Sequence, residues 1–155
     1  MIYDLQWANE TETEIDLFLG KGEVTSHEDF ASMLRSLANL QRITPDRIAR
    51  FAMTNFRYEF GKRGYSMPYH YEPSGLRLYC ILWNAQTLII GNGCSKDHSG
   101  PWQGDEKLEK IIRPLEALEV TIERAITNGF FRDNSVFPGF FVGKRNTPSD
   151  RIEIK

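Results

Sequence analysis

Leu76-Arg77-Leu78-Tyr79-Cys80-Ile81-Leu82-Trp83, the break Asn84-Ala85, and Thr87-Leu88-Ile89-Ile90 form the stretch that decides the fold class. Two runs of aliphatic, aromatic and β-branched residues joined by a short polar turn predict an antiparallel β-hairpin. The return run is wholly apolar from Leu88 to Ile90, which predicts a buried strand, and Gly91-Asn92-Gly93 is expected to break it.

Working outward, Ser26, Asp29 and the apolar set Phe30, Met33, Leu34, Leu37, Leu40 predict a capped amphipathic helix over 27–41. Thr44-Pro45 restarts the pattern, with Thr as N-cap and Pro at the first helical position. Ile48, Phe51, Ala52 and Phe56 then mark a second helix ending near Gly61, and the two helices are expected to form an αα-hairpin. Ile2 to Trp7 reads as a strand. Glu14 to Leu19, where Ile15, Leu17 and Leu19 alternate with Asp16 and Phe18, predicts another, followed by a turn at Gly20-Lys21-Gly22. Residues 61–75, with Gly61, Gly64, Pro68, Pro73 and Gly75, read as an irregular loop.

Downstream of the hairpin comes a polar loop, Ser95 to Gln103. A helix then spans about 105–128, with Gly129 just past its end. Ile111, Leu115, Leu118, Ile122 and Ile126 line one of its faces, and Pro114 is expected to kink it. Residues 130–155 are expected to be loosely structured, with a weak strand from Arg151 to Ile154. The fold class expected is α+β in one domain over 1–155: an antiparallel sheet with a central hairpin, an N-terminal helix pair and a long C-terminal helix kinked at Pro114.

At 155 residues, 41% of them hydrophobic, the chain is long enough to build a core without disulfides or metals. No apolar run reaches eighteen residues, so no membrane span is expected, and the acidic start is unlike a signal peptide. Two cysteines, Cys80 and Cys94, make neither a metal framework nor a disulfide scaffold, which suits a reducing cytoplasm. His27, His70 and His98 have no ligand spacing with them, so no metal site is expected. Gly91-Asn92-Gly93 lacks the spacing of a dinucleotide loop, and no cofactor is expected. Charge is unevenly spread. Residues 1–30 carry eight acids and one base, whereas residues 31–80 carry eight bases and three acids. Such asymmetry marks either a nucleic-acid or acidic-partner surface, or two segments that neutralise each other within one domain.

The run from Gly75 to Ile81, a short turn, Leu88 to Gly93, then Lys96 and a C-terminal helix resembles the RelE/HigB-type toxins of bacterial toxin–antitoxin pairs. The resemblance spans roughly residues 27–128. It implies a metal-independent endonuclease acting on mRNA, alone or on the ribosome, with a protein antitoxin as partner. It further implies Arg77 in the matching strand as a phosphate ligand, and Lys96 and His98 in the following loop as phosphate clamp and acid/base. Such chemistry deprotonates a ribose 2′-OH, stabilises the phosphate charge and protonates the leaving oxygen, which cationic and titrating side chains can do. Read without the resemblance, Arg77 is a strand arginine paired on the sheet surface, and Lys96 and His98 belong to a solvated loop.

Lys62, Arg63, Tyr65, Tyr69, His70 and Tyr71 form a basic, aromatic-rich stretch. Aromatics stack on unpaired bases while cations take phosphates, so together with Tyr79 it is a candidate RNA-binding surface. Equally, these tyrosines could lie over the sheet as a lid on the core. The alternative function is a non-catalytic binding or inhibitor protein, antitoxin-like or phage-borne, that acts through the acidic N-terminal surface. A third is an accessory protein without chemistry of its own.

Overall fold

The computed structural model describes residues 2–7, 10–68 and 75–128, and the backbone of two short strands at 141–142 and 153–154. The predicted hairpin is its centre. Strand β4 (Gly75–Asn84) and strand β5 (Thr87–Lys96) pair antiparallel, from Asn84↔Thr87 at the turn to Gly75↔Lys96 at the open end. Both are ten residues long and almost wholly buried, because helices cover both faces of the sheet.

The sheet has the order β1-β5-β4-β3-β2. Strand β1 (Ile2–Asp4) lies parallel to β5, while β2 (Arg57–Phe60) and β3 (Gly64–Met67) extend the other side antiparallel. One face carries Leu76, Leu78, Cys80, Leu88 and Ile90 and packs on the N-terminal helices. These are α1 (Glu14–Leu19), α2 (Gly22–Thr25), α3 (Phe30–Gln41) and, after a 3-10 turn at Pro45–Arg47, α4 (Ile48–Asn55). Phe18, Val24 and Met33 are fully enclosed there. The other face carries Tyr79, Ile81, Trp83, Ile89 and Cys94 and packs on α5 (Glu106–Thr127) through Leu108, Ile112, Leu115, Leu118 and Ile122. Each such side chain taken from water contributes on the order of 1.5–3 kcal/mol, so the two layers carry most of the stability. Helices α3 and α5 start within one to three residues of the positions predicted and end within one. The strand pair β6 (Phe141–Val142) and β7 (Glu153–Ile154) is antiparallel, and its second member overlaps the weak strand expected at the C-terminus. The rest of 129–155 lies outside the described residues, as do Tyr69, His70 and Tyr71. No helix among the described residues is long and apolar enough to cross a membrane.

Four expectations are corrected. Glu14–Leu19 is a helix, not a strand: Thr13 caps it, its Oγ1 accepting the Asp16 N–H at 3.2 Å, and acids occupy its first turn. Its buried residues are Glu14 and Phe18, one helical turn apart, rather than the Ile15/Leu17/Leu19 set. Lys21-Gly22 does not merely turn the chain, since α2 begins there. The second predicted helix stops at Asn55, and Arg57–Phe60 pairs as a strand with Gly64–Met67, so half of the expected 61–75 loop is sheet. Gly61, at φ 56°, makes the turn between them.

Lastly, Gly91-Asn92-Gly93 does not break β5. Leu78 pairs Gly93 and Cys80 pairs Ile90, so Tyr79 alone faces Gly91 and Asn92 together, which is a β-bulge. The glycines permit close approach: a Cβ on Gly91 would meet Leu115 at 3.0 Å, and one on Gly93 would meet the Arg77 carbonyl oxygen at 1.9 Å. Gly93→Ala should therefore lower stability by about 3 kcal/mol or more in urea unfolding, because strand backbone cannot yield as a side chain can. Gly22→Ala, where a Cβ meets nothing within 4 Å, should be neutral or stabilising by about 0.5 kcal/mol. Equal effects at the two positions would refute the close-approach argument.

Candidate phosphate-binding site

Arg57 lies on the face of its partner Ser66, and Glu59 reaches that face past a bulge between Tyr58 and Phe60, where it accepts the Ser66 hydroxyl. The register Arg57↔Ser66 and Ser66↔Tyr79 carries that face across β3 to β4. Arg77↔Cys94 and Gly75↔Lys96 carry it on to β5. This is the face that α5 covers, but α5 begins only at Glu106 and packs over Tyr79, Ile81 and Ile89. Arg77 and Lys96 therefore lie at the open end of the hairpin, beside the 97–105 loop.

Three cations, Arg57, Arg77 and Lys96, gather there, with the carboxylates of Glu59, Asp29 and Asp105 in electrostatic reach of Arg77 or Lys96. Glu59 accepts the Ser66 hydroxyl at Oε1 (2.8 Å), and its carbonyl accepts the Trp102 indole N–H at 2.9 Å. Arg77 is 1% exposed, and its Nη1 donates to the Leu76 carbonyl at 3.1 Å. Burial lowers the Arg77 pKa from its usual value, opposed by the charges of Tyr79, Glu59 and Asp29 and aided by Arg57. Lys96 is 6% exposed, yet its ammonium makes no hydrogen bond or ion pair with another described residue. No described polar side-chain atom is both sealed from solvent and unpartnered, so the tip of Lys96 remains open to water. Burial lowers its pKa, Glu59 and Asp105 raise it, and Arg57 and Arg77 lower it further. The cluster thus holds cations and carboxylates side by side on stems fixed by the sheet, with the tip of Lys96 open to water.

Of the residues singled out from sequence, Arg77 and Lys96 meet at this cluster. His98 stands beside it. Its Nε2 lies 2.7 Å from Asp105 Oδ2, and its Nδ1 accepts the Gly100 N–H at 3.1 Å, so both ring nitrogens are engaged. Asp105 also caps α5, its Oδ1 accepting the Lys107 and Leu108 N–H groups at 3.0 and 3.2 Å. Lys62 and Arg63 sit at the β2–β3 turn, at the far end of the hairpin, and bind α5 instead. Arg63 Nη1 lies 3.4 Å from Glu119 and 2.8 Å from Glu123, with its guanidinium over the Trp83 ring. Lys62 donates its backbone N–H to Glu119 and pairs with Glu123. Tyr65 lies on the opposite sheet face, next to Phe56 and Tyr58. Tyr79 shares Arg77's face but is fully buried, and burial pushes its hydroxyl pKa well above the usual range. His70 is outside the described residues.

Arg57, Glu59 and Ser66 escaped the sequence reading because the expected helix ran through 61. The alternating run Arg57-Tyr58-Glu59-Phe60 was the signal for a strand, but the bulge between Tyr58 and Phe60 arises only from pairing with β3. The acidic start is partly consumed within the fold. Glu14 accepts from Asn92, and Glu23 binds Ser95 and Lys107. Among the described residues no group of three His, Cys, Asp or Glu could hold a metal ion.

The hydrogen bond from His98, followed by the capped amides, holds the Asp105 pKa below its usual value. Its contribution to stability is therefore complete above the unfolded pKa of about 3.9 and disappears as pH falls through the lower folded value. Asp105→Asn keeps a cap acceptor and removes the charge. It should cost about 1 kcal/mol at pH 7, and the deficit should shrink in unfolding experiments as pH falls below the usual carboxylate range. A deficit independent of pH would refute the charge argument.

Comparison with protein-family models, with curated proteins and with solved structures finds no match for this chain.

Proposed function

We propose that this chain is an RNA-directed, RelE-like toxin domain that cleaves phosphodiester bonds without a metal. One observation carries the reading: the open ammonium of buried Lys96 stands among Arg57, Arg77 and Glu59 on one sheet face. Phosphate chemistry needs cations drawn from more than one element, and here they come from β2, β4 and β5. Arg57 holds the non-bridging oxygens, and buried Arg77 adds positive charge behind it. Glu59 takes the proton of the 2′-OH as its oxygen bonds to phosphorus. Lys96, made more acidic by burial, returns a proton to the departing 5′ oxygen, leaving a 2′,3′-cyclic phosphate and a 5′-OH. His98 is a positioning residue that ties the loop to Asp105. The partners that follow are RNA, free or on the ribosome, and a protein antitoxin, within a cytoplasmic setting. We also infer that Pro114 bends α5 and that α3 and α4 pack as a hairpin, which would curve both layers around the sheet.

Purified protein incubated with single-stranded RNA in the presence of EDTA should yield fragments ending in 2′,3′-cyclic phosphate. Arg77→Ala or Lys96→Ala should slow cleavage by roughly a hundred- to a thousandfold, as for removal of one charge-stabilising donor. His98→Ala should slow it less, with the cleavage pH profile retained. Expression in bacteria without a partner should arrest growth. Normal growth with confirmed folded protein, together with intact RNA, would overturn the proposal.

A further inference from the structure

Among the described residues, every lysine except Lys96 has an acceptor. Lys21 donates its Nζ to Asn92 Oδ1 at 3.1 Å and to the Gly93 carbonyl at 2.7 Å. Lys62 pairs with Glu123, Lys107 with Glu23 and Asp97, and Lys110 with Glu106. Lys96 differs on every count. Its side chain is buried, its ammonium meets no acceptor among the described residues, and its tip still reaches water.

Burying an amine without a partner is costly, and an apolar side chain at the end of β5 would be buried without that penalty. Packing alone therefore does not account for Lys96. Its setting is specific. The pairing of Lys96 with Gly75 fixes the backbone beneath it, and Gly75 adds no side chain on the neighbouring strand. Arg57 of β2 and Arg77 of β4 bring like charge, while Glu59 of β2 and Asp105 at the start of α5 bring opposite charge. Burial, the largest influence, and the two guanidiniums favour the neutral amine, and the two carboxylates oppose them; the balance lowers the Lys96 pKa. A neutral amine has the lone pair that a nucleophile needs, and desolvation beside other cations is a general way to make a lysine reactive near neutral pH.

We propose that Lys96 is a covalent site that takes a small neutral aldehyde as an imine. With the amine uncharged, two guanidiniums stand against two carboxylates, so the surroundings favour an uncharged carbonyl over an anionic one. The amine adds to the carbonyl carbon: the C–N bond forms as the C=O π pair moves to oxygen, and one proton passes from nitrogen to that oxygen. The nitrogen lone pair then closes the C=N bond while the hydroxyl takes a proton from solvent and leaves as water. Nitrogen finally returns its remaining proton to solvent. Glu59 and Asp105 stabilise the transient iminium charge. The inference goes beyond the nuclease reading, because it needs the amine and no RNA.

The experiment treats the whole chain at pH 7 with glycolaldehyde, fixes imines with cyanoborohydride and maps the label on each lysine by peptide mass spectrometry. Lys62 and Lys110 have side chains 75% and 73% exposed, so accessibility alone would favour them. Lys96 should instead take label at least about fivefold faster than either. Its rate should persist to lower pH than that of a blocked lysine amide in free solution, because an amine with a lowered pKa stays neutral further down the scale. Arg57→Gln removes a like charge and should slow labelling of Lys96 while leaving Lys62 and Lys110 unchanged. Glyoxylate, an anionic aldehyde of similar size, should prefer Lys96 over Lys110 less than glycolaldehyde does. Faster labelling of Lys62 or Lys110, a Lys96 pH profile matching the free amine, unaltered labelling in folded Arg57→Gln, or a stronger preference with glyoxylate would overturn the proposal. Label at Lys96 with RNA left intact defeats the nuclease reading alone, and RNA cleavage with Lys96 unlabelled defeats this inference alone.

Discussion

Burial of the β4–β5 hairpin on both faces is the constraint from which the rest of this structure follows. Twenty residues of nearly continuous buried strand cannot be satisfied by one layer of helices. The chain meets the requirement with α1 to α4 on one side and α5 on the other, each bringing its own apolar cluster. Close packing then limits the strand sequence at the bulge, where α5 leaves room for no side chain larger than glycine at position 91 without displacing Leu115.

The same arrangement leaves one end of the hairpin uncovered and a cleft beside the bulge, because neither covering layer runs the full length of the hairpin. On one side α5 starts late, and the open end of the sheet is left with Arg77, buried whole, and with Lys96, whose stem is buried while its ammonium reaches water. On the other side β1 stops early, and the bulge faces a cleft instead of a partner strand. Asp105 sits at the junction, capping α5, holding His98 and lining the cleft.

Carboxylates divide the work of joining layers. Glu119 and Glu123 take the β2–β3 turn through Lys62 and Arg63, and Glu23 reaches from α2 to Ser95 and Lys107. The acidic start meets the basic middle at Asp29, which accepts the Leu76 N–H at 3.4 Å and whose charge bears on Arg77. Among the described residues Lys62 and Arg63 pair with α5, and Arg57, Arg77 and Lys96 gather around Glu59.

By itself the sequence determined the elements whose signals are local and redundant. The hairpin was legible from its apolar runs and turn, α3 from its periodic apolar face, and α5 from a face that repeats across Pro114 and the glycine just past its end. Only the tertiary structure decided the short elements. Six residues at 14–19 satisfy either period, and the Thr13 cap together with the buried Phe18 selects helix. Four residues at 57–60 hold no turn of their own, and pairing with β3 makes them a strand. The candidate site shows the same division. Arg77 could be named from its strand, and Lys96 was named too but as a loop residue, whereas Ser95 and Lys96 pair at the end of β5; Arg57, Glu59 and Ser66 join them only through register. Strand register depends on which partner a strand finds, and that is settled by burying both faces of β4 and β5 rather than by any residue's own preference.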